Sequence, residues 1–256
     1  MPPSSSPLRT DSTPATVTDA DIHARIVGAV LDQRLVPGTR LTEDGLGRIF
    51  GVSRTRIRQV LIRLATEQLV TLVPHCGASV AQPTADDARE VFGVRRLVEP
   101  QLLRDFALRA PLHAVRGLAR WIEAEEHARA QGDRHTAIRM AGAFHMHLAE
   151  HAGNATLERL MRELVARTAL SLMTFGPAEI QEPPRRGLPL ASLQRIGAGC
   201  TCHDHRGVLS AIERRDAQAA VRAMDRHLSR LESQLDFSGP APTMPALADL
   251  LGMGAS

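Results

Sequence analysis

The spacing of apolar residues changes period twice along the chain, and each change marks a boundary. From residue 18 to about 67 the period is helical. Ile22, Ile26 and Val30 recur four apart, which predicts a first helix with one buried face, opened by Thr18 with Asp21 three residues on and running to about Gln33. Pro37-Gly38 breaks it. Thr42 caps a short second helix whose Leu46, Ile49 and Phe50 are expected to face inward; Gly51-Val52 makes a turn, and Ser53 caps a third helix to about Glu67. Residues 69–73 and 78–81 then alternate with period two around Pro74-His75-Cys76-Gly77, which reads as two short strands and a hairpin wing. From Thr84 the pattern is helical only, with expected spans 84–109, 112–131, 134–152, 155–175, 202–214 and 217–236, punctuated by Pro111, Gly132, Gly153-Asn154 and Gly176-Pro177.

The fold class expected from this is mainly α: an N-terminal winged helix-turn-helix followed by an all-α bundle of six to seven helices. The expected domains are a disordered Pro/Ser/Thr-rich leader at 1–17, the winged helix-turn-helix at 18–83, the helical bundle at 84–237 and a flexible tail at 238–256. Residues 177–199, with four prolines and Arg185-Arg186-Gly187, read as a long loop inside the bundle. Two domains suit a chain of 256 residues.

Composition narrows the class by exclusion. Three cysteines are too few for a secreted disulfide framework, no signal peptide is evident, and no run reaches the roughly 18 apolar residues that cross a bilayer. A cytoplasmic protein without membrane attachment is expected. Formal net charge is only +3, so basicity is a local property. It concentrates between Arg48 and Arg63, a stretch with five arginines and no carboxylate.

That stretch contains the third helix. Ile57, Val60, Leu61 and Leu64 follow the i, i+3, i+4, i+7 rule and form its packing face, leaving Thr55, Arg58, Gln59 and Ile62 opposite. Ser53, Arg54 and Thr55 lie at the leading end, where free backbone N–H groups meet phosphate. Arg54 and Arg58, one turn apart, have the fork that bridges guanine O6 and N7; Gln59 has the amide for adenine. Arg56 and Arg63 on the same helix and His75 at the wing tip complete the candidate DNA-binding set. A solvated basic helix is the alternative, but turn, cap, stripe and wing all agree with DNA binding.

Residues 22–83 resemble the DNA-binding domain of the GntR superfamily of transcription regulators. The resemblance rests on Pro37-Gly38-Thr39-Arg40-Leu41, on Gly51-Val52-Ser53-Arg54-Thr55-Arg56-Ile57-Arg58-Gln59-Val60-Leu61 and on Gly77-Ala78-Ser79-Val80. Arg56 stands where the family pattern has Pro, and Gln59-Val60 where it has Glu-Ala. The helical part is similar to the FCD effector domain of the FadR-like branch, through Arg95 and Glu99, Phe144-His145 before Gly153-Asn154, His205-Arg206, and Ala220 to His227-Leu228. Many members of that branch hold a divalent metal through an Asp-x-x-x-His pair and two later histidines.

Periodicity reaches part of that site independently. His145 falls on the stripe Ile138, Ala141, His145, Leu148, Ala152; His205 shares a face with Val208, Leu209 and Ile212; His227 lies between Met224 and Leu231. Three inward histidines on three helices suit Zn, Ni, Mn or Fe. For one histidine a buried neutral imidazole is the commoner explanation; for three together a metal or ligand pocket is preferred. Ala141 occupies the position of the usual Asp and coordinates nothing. Either water or an effector oxygen completes the shell, or Cys202 substitutes, or the metal is lost. Cys200-Thr201-Cys202-His203-Asp204-His205 is not a standard zinc spacing. Arg95 is the candidate clamp for an effector carboxylate, with an ordinary i, i+4 pair to Glu99 as the equal alternative. His147 and His151 are expected to face solvent, and Trp121 to belong to the core.

The function expected is a ligand-responsive transcription regulator, a repressor, acting as a homodimer on a palindromic double-stranded operator and released or repositioned by a small acidic metabolite. The alternatives are a metal-dependent hydrolase using the three histidines, for which no base, nucleophile elbow or phosphate loop is evident, and a ligand-blind DNA-binding protein.

Overall fold

The computed structural model describes residues 17–74, 77–176 and 201–238, the last of these with side chains from His203 onward. The leader expected at 1–17 except its last residue, His75 and Cys76 at the wing tip, the loop expected at 177–199, Cys200, the Cys202 side chain and the tail beyond Ser238 lie outside the described residues.

The N-terminal module forms from locally capped helices. Helix α1 (Asp19–Leu31) opens on a capping box: the Thr18 hydroxyl accepts from the Asp21 N–H while the Asp21 carboxylate accepts from the Thr18 N–H at 2.9 Å. Helix α2 (Glu43–Phe50) is capped by Thr42 and stopped by Gly51 in the left-handed region (φ 67°). Helix α3 (Arg54–Thr66) is capped by Ser53 and buries Ile57, Val60, Leu61 and Leu64, the stripe its periodicity predicts.

Two expectations need correction. Ile49 is 75% exposed and does not face inward. Helix α2 turns Glu43 and Gly47 to its packing side, because a side chain at Gly47 would press on the Val52 carbonyl, and Ile49 stands about 200° round the helix from Gly47. The wing also has a third strand. Strand β1 (Arg40–Leu41) pairs antiparallel with β3 (Gly77–Val80), which pairs in turn with β2 (Val70–Val73), in the order β1-β3-β2. The register sets Leu41 opposite Ala78 and Val70 opposite Val80. Gly77, at φ +102°, crosses so close to the Leu41 carbonyl that no side chain fits there.

Six helices follow among the described residues: α4 (Ala85–Arg109), α5 (Leu112–Ala130), α6 (Arg134–His151), α7 (Ala155–Phe175), α8 (Thr201–Glu213) and α9 (Ala217–Ser233). Their core holds Phe92, Phe106, Leu118, Ile122, Phe144 and Ile212, with Trp121 packed against it at partial burial. The fold is mainly α, a winged helix-turn-helix followed by an all-α domain. The modules share one helix: Ala166 and Leu170 of α7 are buried in the same cluster as Ile22, Val30, Ile57 and Leu64. No helix among the described residues is long and apolar enough to cross a membrane.

Candidate functional site

The outer face of α3 is polar and open. Ser53, Arg54, Thr55, Arg58 and Gln59 are all exposed, as the stripe opposite them requires. The arginines are nevertheless not uncompensated. Glu43, at the start of α2 with a side chain only 10% exposed, accepts from Arg58 Nε at 2.7 Å and Arg58 Nη2 at 3.0 Å. Arg54 lies 3.2 Å from Asp44 and 3.8 Å from Glu43. The hydrogen bond from Arg58 holds the Glu43 carboxyl below its ordinary range and raises the guanidinium in return. These partners come from the preceding helix, so a window over α3 does not reveal them.

Side-on pairing through Nε and Nη2 leaves the end of the Arg58 fork, Nη1 with the second Nη2 hydrogen, directed away from Glu43. That end is the one a guanine edge engages. Arg56, the residue at the family's Pro position, is tied to helix α1: its Nε donates to Asp19 at 2.8 Å and its Nη2 to the Val17 carbonyl at 2.8 Å. It braces the module with hydrogen bonds that a phosphate would otherwise receive. Arg63 is exposed and pairs with Glu67 one turn on, at 3.1 Å.

In the bundle, α6, α8 and α9 bring His145, His205 and His227 together. All three are buried, with ring centroids 4.4–5.3 Å apart and one ligating atom from each within 4.8 Å of the others. Behind each ring stands a carboxylate. His145 Nδ1 is 3.0 Å from Glu99, His205 Nδ1 is 2.8 Å from Glu125, and His227 Nδ1 is 3.6 Å from Asp204. At His145 and His205 the carboxylate acceptor keeps the proton on Nδ1 and leaves Nε2 with its lone pair, the arrangement that orients histidine toward a metal, while the 3.6 Å gap at His227 is too long for a hydrogen bond. Nε2 of His205 and both ring nitrogens of His227 are buried without a hydrogen-bond partner. Such orphaned nitrogens cost stability unless something is bound to them. Phe144 stacks on His205 at 4.2 Å and walls one side.

Charge in this core is balanced by pairing. Burial alone would raise the Glu99 carboxyl, but Arg95 and His145 outweigh it and hold it well below the usual carboxylate range. Burial lowers the His145 imidazole to about 3, against the pull of Glu99, and lowers His227 to about 4, with His205 adding to the effect. Neutral imidazoles are the metal-binding form. Three converging imidazoles suit a divalent transition-metal ion, with the ligand normally given by Asp missing at Ala141 and Cys202 outside the described side chains.

Arg95 belongs to this core and is itself 1% exposed. Its Nε donates to Glu99 at 2.6 Å and its Nη1 to the Thr168 hydroxyl on α7 at 3.2 Å, while Nη2 is buried without a partner. The i, i+4 pair therefore exists, and it changes the expected role: the whole fork is not available for a carboxylate, only its Nη2 corner. His147 and His151 also depart from expectation. Both are partly buried, not solvent-facing, and their rings lie 4.2 Å apart. Sequence reasoning did not assign Glu125, Asp204 or Thr168; each lies on a different helix from the group it serves. A cleft of about 470 Å³ opens where the modules meet, between Gln68, Thr71 and Gln82 on one side and Asp87, Arg167 and Ser171 on the other. None of the three histidines lines it.

Comparison with known proteins agrees with both halves. Residues 18–80 match the model of the bacterial regulatory proteins of the gntR family, and residues 90–230 match the FCD domain. A regulator of the helix-turn-helix type in an unstable DNA locus of Streptomyces ambofaciens is 25% identical over 242 residues, covering 90% of this chain and 94% of that protein. The Uxu operon regulator of Haemophilus influenzae is 27% identical over 207 residues, covering 76% and 72%. The solved structure of Escherichia coli McbR/YncC superposes with a TM-score of 0.70 at 16% identity, covering 84% of this chain and 97% of that one, which speaks for the fold. The chain belongs to the GntR family of bacterial regulatory proteins, with an FCD domain as its second module, and is a DNA-binding transcription regulator and not an enzyme.

Proposed function

We propose that this regulator is a cytoplasmic repressor that binds a palindromic operator as a homodimer and is released or repositioned when a small acidic metabolite enters the three-histidine core. Residues Ser53, Arg54, Thr55, Arg58 and Gln59 read the major groove, Arg63 and His75 meet the backbone, and Arg56 acts mainly by bracing the module. His145, His205 and His227 hold a divalent ion (Zn, Ni, Mn or Fe), which supplies a Lewis-acidic anchor for an effector oxygen in the position that Ala141 leaves without a protein ligand. The Nη2 corner of Arg95 takes the effector's negative charge.

One observation carries this reading: orphaned, buried nitrogens converge in the bundle core and connect to the DNA-reading module. Arg95 bonds Thr168 on α7, and the same helix buries Ala166 and Leu170 in the winged-helix core. An effector that draws Arg95 toward itself bears directly on the helix that seats the reading module. It shifts the pose only as far as it binds one pose better than the other.

Selection of binding sites from a random duplex library with the full-length protein tests the reading. Two inverted half-sites are expected, with one homodimer bound. Fluorescence anisotropy on that duplex, with a panel of di- and tricarboxylates and sugar acids, should find at least one compound that weakens binding and raises the melting temperature. A site without twofold symmetry would contradict the homodimer. A panel that moves neither quantity would favour a ligand-blind DNA-binding protein.

A further inference from the structure

We propose a second metal site, outside the three-histidine core, where the last turn of α6 meets the first turn of α5; its ligands are His147, Glu150 and His151, and its ion is zinc. The segment His147-Leu148-Ala149-Glu150-His151 places two imidazoles at i and i+4 and a carboxylate at i+3 on one side of a helix. One ligating atom from each lies within 4.8 Å of the others. His145 and His147 are two residues apart, about 200° round the helix, so the core site and this one occupy opposite faces.

The hydrogen bonds of the two rings set them up as ligands. His147 Nε2 is 2.8 Å from the Ala114 carbonyl, and His151 Nδ1 is 3.0 Å from the His147 carbonyl. A carbonyl only accepts, so these two nitrogens carry the protons and donate. The other nitrogen of each ring, Nδ1 of His147 and Nε2 of His151, keeps its lone pair. Backbone carbonyls behind metal-bound histidines play this part in known sites.

The rings are also held still. His147 lies over Gly117 of α5, where an added Cβ would come within 2.5 Å of the imidazole, so the absence of a side chain there makes its seat. His113, on the first turn of α5, presents its ring 6.2 Å from that of His151, edge to face. Two imidazole nitrogens and a carboxylate oxygen suit tetrahedral zinc, with water in the fourth position.

Chelator-stripped full-length protein titrated with zinc against a chromophoric competitor tests this. His151→Ala is expected to bind one equivalent fewer than the wild type, whatever the core holds. Glu150→Gln, changed at an exposed side chain, should keep the far-ultraviolet circular dichroism of the wild type and weaken that same equivalent at least about tenfold. If both variants bind as many zinc ions as the wild type with the same affinities, the site is not there. Should His151→Ala fail to fold, the Glu150→Gln titration alone decides: an unchanged isotherm overturns the proposal.

Discussion

Replacing Arg58 or the carboxylate behind it gives the sharpest quantitative consequence of the structure. Arg58 is 60% exposed at the side chain, and Glu43 grips it side-on through Nε and Nη2. If the free end of the fork bridges guanine O6 and N7, Arg58→Ala loses that bidentate contact, which corresponds to roughly a 5- to 150-fold rise in Kd on the selected operator. Neither group is in the apolar core, so the melting temperature should stay within about 2 °C. Glu43→Gln keeps the shape but weakens the grip that orients the fork; losing one such hydrogen-bonded restraint corresponds to about a 2- to 12-fold rise in Kd. The two effects pass through the same guanidinium, so the double variant should bind no worse than Arg58→Ala alone. Anisotropy titrations of the three variants at one salt concentration measure all of this. Tighter binding by Glu43→Gln would mean that the carboxylate competes with DNA and does not orient the arginine, and unchanged binding by Arg58→Ala would refute the placement of α3.

Three other outcomes are expected. If each protomer of a dimer neutralises about four phosphates, log affinity should fall against log salt with a slope near about −7, and a slope near zero would contradict groove binding by α3. Protein purified without chelator should carry metal in the core that His145→Ala lacks, and Ala141→Asp should tighten it by supplying the fourth ligand; unchanged metal content in both would contradict the core site. In chelator-treated protein, stability should fall between pH 7 and pH 5. His145 and His227 stay neutral when folded, at about 3 and about 4 against an ordinary 6.5, so in that window the unfolded chain binds protons the folded one does not. The loss is on the order of 3 kcal/mol, measurable by urea unfolding at the two pH values, and equal stability would contradict neutral burial.

The parts of this fold that local chemistry determines were legible in the chain. Thr18, Thr42 and Ser53 cap helices where their spacing predicts, and the α3 stripe is buried as read. The six bundle helices begin and end within three residues of expectation, because Gly, Pro or Asn marks most of the gaps between them in sequence. What was missed is non-local. Strand β1 is two residues long, too short for any period, and exists because β3 offers it an edge. Ile49 looked apolar and therefore inward, but the close approach at Gly47 fixes which side of α2 packs. The same holds for the candidate sites. Periodicity placed three histidines inward on three helices, yet the carboxylates beside them come from α4, α5 and α8, and only packing brings them there. Arg95 was legible as either clamp or pair; the Thr168 bond that ties it to α7 spans 73 positions.

Dimethyl sulfate interference on the selected duplex tests the central claim most directly, because it reports which groove the leading end of α3 enters. Methylation of guanine N7 at one symmetric position in each half-site should block wild-type binding, and Arg58→Ala should lose that sensitivity. Interference only at adenine N3, in the minor groove, or a guanine pattern that Arg58→Ala leaves intact, would contradict the account.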